Sequence, residues 1–114
     1  MNIIMKATYI ECALWASTDD EDEPLDMHTL APDAREALEA DCDEFLDYVE
    51  DLGIDWSEID SSQMGHDLWL TRNRHGAGFW DRGLGELGDA LTKAAHAMGS
   101  RDLYVGDDGL VYVC

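Results

Sequence analysis

An α+β fold, with two helices packed on one mostly antiparallel sheet of about five strands in the order β-α-β-β-α-β-β, is what the sequence predicts. Three observations lead there. A β-branched and aromatic run opens the chain, two single-stripe amphipathic patterns lie farther on, and two stretches of turn chemistry each sit between apolar runs. At 114 residues and 12.7 kDa the chain reads as one domain, residues 1–114, with one core and an acidic loop at 17–32.

The first strand is predicted over Ile3–Trp15, rich in Ile, Thr, Tyr and Trp. Ile4, Thr8, Ile10, Cys12 and Leu14 alternate onto one face, with Lys6 as the exception. Both faces are largely apolar, so the strand is expected to be central or covered. Ser17–Pro32 follows as a solvated loop. It holds Asp19, Asp20, Glu21, Asp22 and Glu23 in a row before Pro24, a charge run that suits neither strand nor helix interior.

The first helix is predicted over Asp33–Leu52. Asp33 with Glu36 three residues on reads as an acidic capping box directly after Pro32. Leu38, Cys42, Phe45, Val49 and Leu52 recur at steps of four and three as one apolar stripe, and Gly53 supplies the stop. At about 100° per residue, Glu36, Asp43, Asp47 and Glu50 lie opposite that stripe, flanked by Glu39 and Asp51. Arg35 is the one basic residue of this helix.

A turn over Asp55–Gln63 leads to His66–Arg82. There Asn73–Gly78 separates two aromatic runs, which predicts a hairpin with Trp69, Phe79 and Trp80 as packing residues. Trp15 and Trp56 receive the same core assignment. A second helix over Leu84–Met98 carries the stripe Leu84, Leu87, Leu91, Ala94, Ala95 and Met98 and ends at Gly99. A last hairpin joins Leu103–Val105 to Leu110–Val113 through Gly106-Asp107-Asp108-Gly109.

Charge points to function more strongly than any motif. Residues 1–62 hold 19 Asp and Glu against Lys6 and Arg35; residues 63–114 hold 7 against five basic residues. Nearly all of the net −19 therefore belongs to one half of the chain. Such a field repels nucleic acid and membrane phosphates and attracts basic surfaces. Carboxylates at i,i+4 on a helix repeat roughly every 6 Å, close to the phosphate spacing along an extended strand. An acidic helix beside an acidic loop can thus imitate a phosphate backbone toward a protein lined to neutralise one.

Competing chemistry has weaker support. Asp19–Glu23 lacks the alternating ligand spacing of a calcium loop. His66 and His75 have no third metal ligand at site-forming spacing. His75-Gly76-Ala77-Gly78 superficially matches an oxyanion loop, but no G-x-S-x-G nucleophile elbow accompanies it. Cys12, Cys42 and Cys114 are an odd number at long spacings, consistent with a reducing compartment and with Cys12 and Cys42 buried as small hydrophobes. The start of the chain lacks the basic region and cleavage site of a signal peptide, and no apolar run reaches the roughly 20 residues of a membrane span. A cytoplasmic protein is expected.

The stretch Gly65-His66-Asp67-Leu68-Trp69-Leu70-Thr71-Arg72-Asn73-Arg74-His75-Gly76-Ala77-Gly78-Phe79-Trp80-Asp81-Arg82-Gly83 resembles a family of small acidic proteins encoded by bacteriophages and prophages. The likeness runs from the first strand, through the acidic helix, to Tyr104-Val105-Gly106-Asp107-Asp108-Gly109. The resemblance implies a protein made inside an infected bacterium and brings no catalytic residues with it. By analogy with small acidic phage inhibitors, the expected function is anti-CRISPR or anti-restriction activity through DNA mimicry. Its predicted partner is the basic nucleic-acid-binding groove of a host protein, with no cofactor and no catalysis. The predicted partner-binding residues are Asp19, Asp20, Glu21, Asp22 and Glu23 in the loop, with Glu36, Glu39, Asp43, Asp47, Glu50 and Asp51 on the helix. Two alternatives stand beside this. One is a small enzyme or ligand-binding domain at the 66–82 hairpin, using Arg72, Arg74, His75 and Asp81. The other is a phage structural or assembly accessory protein.

Overall fold

A computed structural model describes residues 3–18, 23–75 and 77–113. Its architecture overturns the expected sheet-based fold: four helices dominate, and the strands form one small mixed sheet. In order these are α1 (Ile3–Ala16), β1 (Thr29–Leu30), α2 (Pro32–Asp51), α3 (Ser61–Arg72), α4 (Glu86–Ala97), β2 (Leu103–Val105) and β3 (Leu110–Val113). Single 3₁₀ turns lie at Leu25–Met27 and Phe79–Asp81.

The strand expected over Ile3–Trp15 is helix α1. A run apolar on both strand faces also suits a buried helix, and length then arbitrates. Thirteen residues without Gly or Pro exceed the usual strand. Met5, Tyr9, Cys12 and Ala13 recur at helical steps and are buried.

The hairpin expected over His66–Arg82 is also absent. Its first half belongs to α3, which Asp60 caps by accepting a 3.0 Å hydrogen bond from the Ser62 N–H. Its second half is the Phe79–Asp81 turn. Asn73 and the residues after it act as a helix stop: Asn73 Nδ2 donates to Trp69 O at 3.0 Å, and Arg74 sits at φ 56°. Asn- and Gly-rich punctuation ends a helix as readily as it turns a hairpin. Met64, Gly65, Asp67, Leu68, Trp69, Leu70, Thr71 and Arg72 are all buried, so α3 is the central element and shows no amphipathic period.

The two amphipathic helices form where expected, as α2 and α4. The stripe Leu38, Cys42, Phe45 and Val49 is fully buried, while Leu52 is exposed at the C-terminal end. The start of α2 differs from the predicted capping box. Ala31 is the N-cap and makes no side-chain cap bond, with Pro32 in the first turn. Proline is preorganised for that position, so the helix begins before Asp33, whose carboxylate then meets the positive helix end. Gly53 at φ 70° ends α2. The loop expected over Ser17–Pro32 contains the Leu25–Met27 turn and β1, and Thr18 bridges to Pro24.

The sheet order is β1-β3-β2, with β1 parallel and β2 antiparallel to β3. The β2–β3 hairpin is the one expected, in the register Leu103↔Val113. α1 packs most extensively on α3. Gly65 makes that approach possible, because a Cβ there would collide with Met5 O and Thr8 Oγ1. Phe45 and Phe79 stack at 5.9 Å, and Tyr9 meets Trp69 edge-on at 5.6 Å, in a core completed by Leu91 and Val111. Trp69 and Phe79 pack in the core as expected; Trp56 is partly buried against it. Trp15 and Trp80 do not follow the core assignment, being 62% and 52% exposed.

Candidate functional site

Burying one stripe of α2 forces the opposite arc into solvent. Glu36, Asp43, Asp47, Glu50 and Asp51 are exposed, and Glu39 is half-buried on the flank. From Glu36 to Asp51 the row spans roughly 22 Å at 1.5 Å per residue. Asp43 pairs with Lys6 of α1 at 3.1 Å; among the described residues it is the one carboxylate of this ridge in an ion pair. Asp33 and Glu44 are also exposed and extend the same arc, at about 60° and 80° from Glu36 at 100° per residue. The same helical wheel, drawn from sequence, places both residues there. Of the predicted loop residues, Glu23 is exposed, and Asp19, Asp20, Glu21 and Asp22 lie outside the described residues.

Beneath the ridge, the same helix turns a carboxylate inward. Asp41 is 3% exposed. It accepts from Tyr9 Oη at 2.9 Å and from Arg101 Nε and Nη2 at 3.1 and 2.6 Å, and it lies 3.1 Å from Arg72 Nη1. Arg72 also donates to Tyr9 Oη and to the carbonyls of Met98 and Gly99, at 3.0, 3.1 and 2.8 Å. A guanidinium on the last carbonyls of α4 satisfies groups the helix leaves open and suits its negative end. The cluster ties α1, α2, α3 and the end of α4 together. Burial, reinforced by the Asp41 carboxylate, pushes the Tyr9 hydroxyl far above its ordinary pKa. The hydrogen bonds that Arg101 donates to the Asp41 carboxylate raise the guanidinium pKa.

Asp67 of α3 is the second buried acid. Arg82 grips it through Nε and Nη2, the shortest bond being 2.8 Å, and Gln63 Nε2 lies at 3.4 Å. Arg82 also lies 3.7 Å from Asp81. Of the two sequence-local pairs that the segment offers, Asp81 with Arg82 forms, while Asp67 and Arg72 are separated by the helix and each finds a partner across the fold.

The alternative site at residues 66–82 is not assembled. Arg72 is 5% exposed and wholly engaged in the Asp41 cluster. Arg74 and His75 are exposed past the end of α3, with His75 lining a shallow polar cleft beside Ser100 and Arg101. Asp81 instead accepts from the Gly78 N–H at 3.1 Å, and Gly76 lies outside the described residues. Cys12 and Cys42 are buried as expected, and burial pushes both thiols up to about 12. They are poor nucleophiles at neutral pH. Among the described residues no three His, Cys, Asp or Glu side chains converge as a metal site, and no helix is long and apolar enough to cross a membrane. Compared with protein-family models, curated proteins and solved structures, the chain matches none.

Proposed function

We propose that this protein is a non-enzymatic inhibitor, phage-encoded and acting in the host cytoplasm, which occupies the basic nucleic-acid groove of a defence protein such as a CRISPR effector or restriction nuclease. One observation carries the reading. The outer arc of α2 is a solvent-facing row of carboxylates, while three of the seven Lys and Arg serve buried acids. Arg72 and Arg101 serve the buried Asp41 and Arg82 the buried Asp67, and among the described residues Lys6 alone forms an ion pair with the ridge. Crowding like charges costs stability. The fold pairs the acids it buries and, among the described residues, leaves the ridge acids other than Asp43 without an ion pair, as a surface awaiting an external cationic partner would be.

Glu36, Asp43, Asp47, Glu50 and Asp51, with Glu39 at the edge, stand in for successive phosphates, and Asp33 and Glu44 widen the strip. The Asp19–Glu23 run adds charge to the same half of the chain. Encounter is steered by the field and weakens steeply with salt.

The test immobilises the wild-type protein and an Asp43→Lys/Asp47→Lys/Glu50→Lys variant and passes host lysate over both. A basic nucleic-acid-binding protein should be retained by wild type at about 50 mM salt, released by about 200 mM, and displaced by duplex DNA. The variant should retain none. Retention that ignores the charge reversal and added DNA overturns the proposal.

A further inference from the structure

Helix α1 differs from every other helix in what it shows to solvent. Ile3, Leu14, Ala7, Glu11, Ile4, Trp15 and Thr8 occupy one continuous arc of about 140°. Ile3, Ile4 and Trp15 are 73%, 60% and 62% exposed, and Ala7 is exposed as well. Glu11 is the one charge in that arc. On the opposite side Met5, Tyr9, Ile10, Cys12 and Ala13 are buried against the core. A helix apolar all round belongs between two partners, and among the described residues only one is present. Three large apolar side chains on one arc, more than half exposed, mark an interaction surface rather than scattered surface residues.

Two clefts flank the arc, and Glu11 and Trp15 form the wall between them. One, of about 600 Å³, lies toward α3 and has Asp60 and His66 on its far side. The other, of about 450 Å³, lies toward the start of α2 and has Asp26 and Arg35 on its far side. Arg82 also borders the first cleft, but Asp67 beneath it and Asp81 beside it hold its charge. The acids Glu11, Asp26 and Asp60 outnumber Arg35 at these clefts and frame an exposed indole. An indole face beside carboxylates is a receptor for ammonium or guanidinium groups. The second cleft reaches Arg35 of α2, one residue before Glu36 at the start of the acidic ridge.

We infer that the α1 arc is the docking face for a basic amphipathic helix of the partner protein. The partner's apolar side chains pack on Ile4, Ala7 and Trp15, and its Lys or Arg side chains enter the two clefts toward Glu11, Asp26 and Asp60. The inference rests on the reading that the partner is basic, and it adds an apolar anchor to a surface otherwise described by charge alone. Charge selects this occupant. A second copy brings another net −19 to the contact, and an anionic membrane repels the chain for the same reason. A neutral apolar helix leaves the framing carboxylates desolvated and unpaired. Apolar seating with a cationic rim satisfies both, and tryptophan is the residue type on which such interfaces concentrate their energy.

The test titrates the protein with two synthetic peptides of about 18 residues, roughly 27 Å as a helix. Both contain only Leu and Lys in the same proportions. One places its leucines on a single helical face; the other is scrambled so that they share none. The amphipathic peptide should bind at least about tenfold more tightly, with amide shifts centred on α1. An Ile4→Ser/Trp15→Ser variant, whose substituted side chains are already exposed, should erase that difference while still binding both peptides through charge. The Asp43→Lys/Asp47→Lys/Glu50→Lys variant should weaken both peptides alike and keep the difference. Equal affinities for the two peptides, or a difference that survives Ile4→Ser/Trp15→Ser, overturns the α1 face and leaves the acidic ridge standing. A ridge reversal without effect on either peptide removes the ridge and leaves the α1 face. Wild-type self-association that is lost in Ile4→Ser/Trp15→Ser assigns the arc to a second copy and also overturns the inference.

Discussion

Asp41 Oδ2 lies 3.1 Å from Arg72 Nη1, with both side chains at most 5% exposed, and Arg101 closes on the same carboxylate from the other side. The acid comes from α2, one guanidinium from α3 and the other from the segment before β2. Residues 31 and 60 positions apart in sequence thus share one buried charge centre.

Removing the central charge should therefore be costly. Asp41→Asn leaves two buried or half-buried guanidinium groups facing a neutral amide, and the expected loss is about 3–5 kcal/mol. Urea unfolding should show this as a lower midpoint with an unchanged slope. A loss below about 1 kcal/mol would mean that the Met98 and Gly99 carbonyls hold Arg72 without help.

The α1–α3 contact should tolerate no added atom at its closest point. Gly65→Ala places a methyl against Met5 O and Thr8 Oγ1, backbone and side chain of the facing helix. The helices must separate, at an expected cost of about 1–3 kcal/mol despite alanine's better helix propensity. Thermal melting of the variant checks the sign, and a rise in Tm would contradict the packing described.

Alkaline pH should unfold the protein through its buried thiols. Burial, more than the neighbouring carboxylates, pushes the Cys12 and Cys42 thiols up to about 12. Groups whose folded pKa is raised favour the folded state below the unfolded pKa, and that contribution is lost as pH climbs toward the folded value. Stability should accordingly fall between about pH 9 and about pH 12, with the raised hydroxyl of Tyr9 adding to the upper part of the fall. Denaturant midpoints measured across this window should flatten in a Cys12→Ala/Cys42→Ala variant. In the native wild type near neutral pH, alkylation of these two thiols should wait on unfolding.

The sequence by itself determined the helices that present one wet and one dry face. α2 and α4 follow from single apolar stripes, and the β2–β3 hairpin follows from the Gly106–Gly109 turn. The acidic ridge was legible for the same reason: once Leu38, Cys42, Phe45 and Val49 must be buried, 3.6-residue geometry sends Glu36, Asp43, Asp47 and Glu50 outward. Periodicity is informative only where one face meets water. Helix α3 is buried on nearly every side, and α1 is apolar both where it meets the core and where it meets solvent, so neither carries a readable helical period. Residue type, with turn-like Asn73–Gly78 after α3, points to strands in both places. Only the tertiary structure decided which acids are ridge and which are clamp. Asp41 and Asp43 are two residues apart on the same helix, yet one is sealed by Arg72 and Arg101 while the other stands in solvent beside Lys6. Local sequence sets which way each side chain points from its helix. The partners that neutralise it, or leave it charged for another molecule, come from chain segments that only folding brings near.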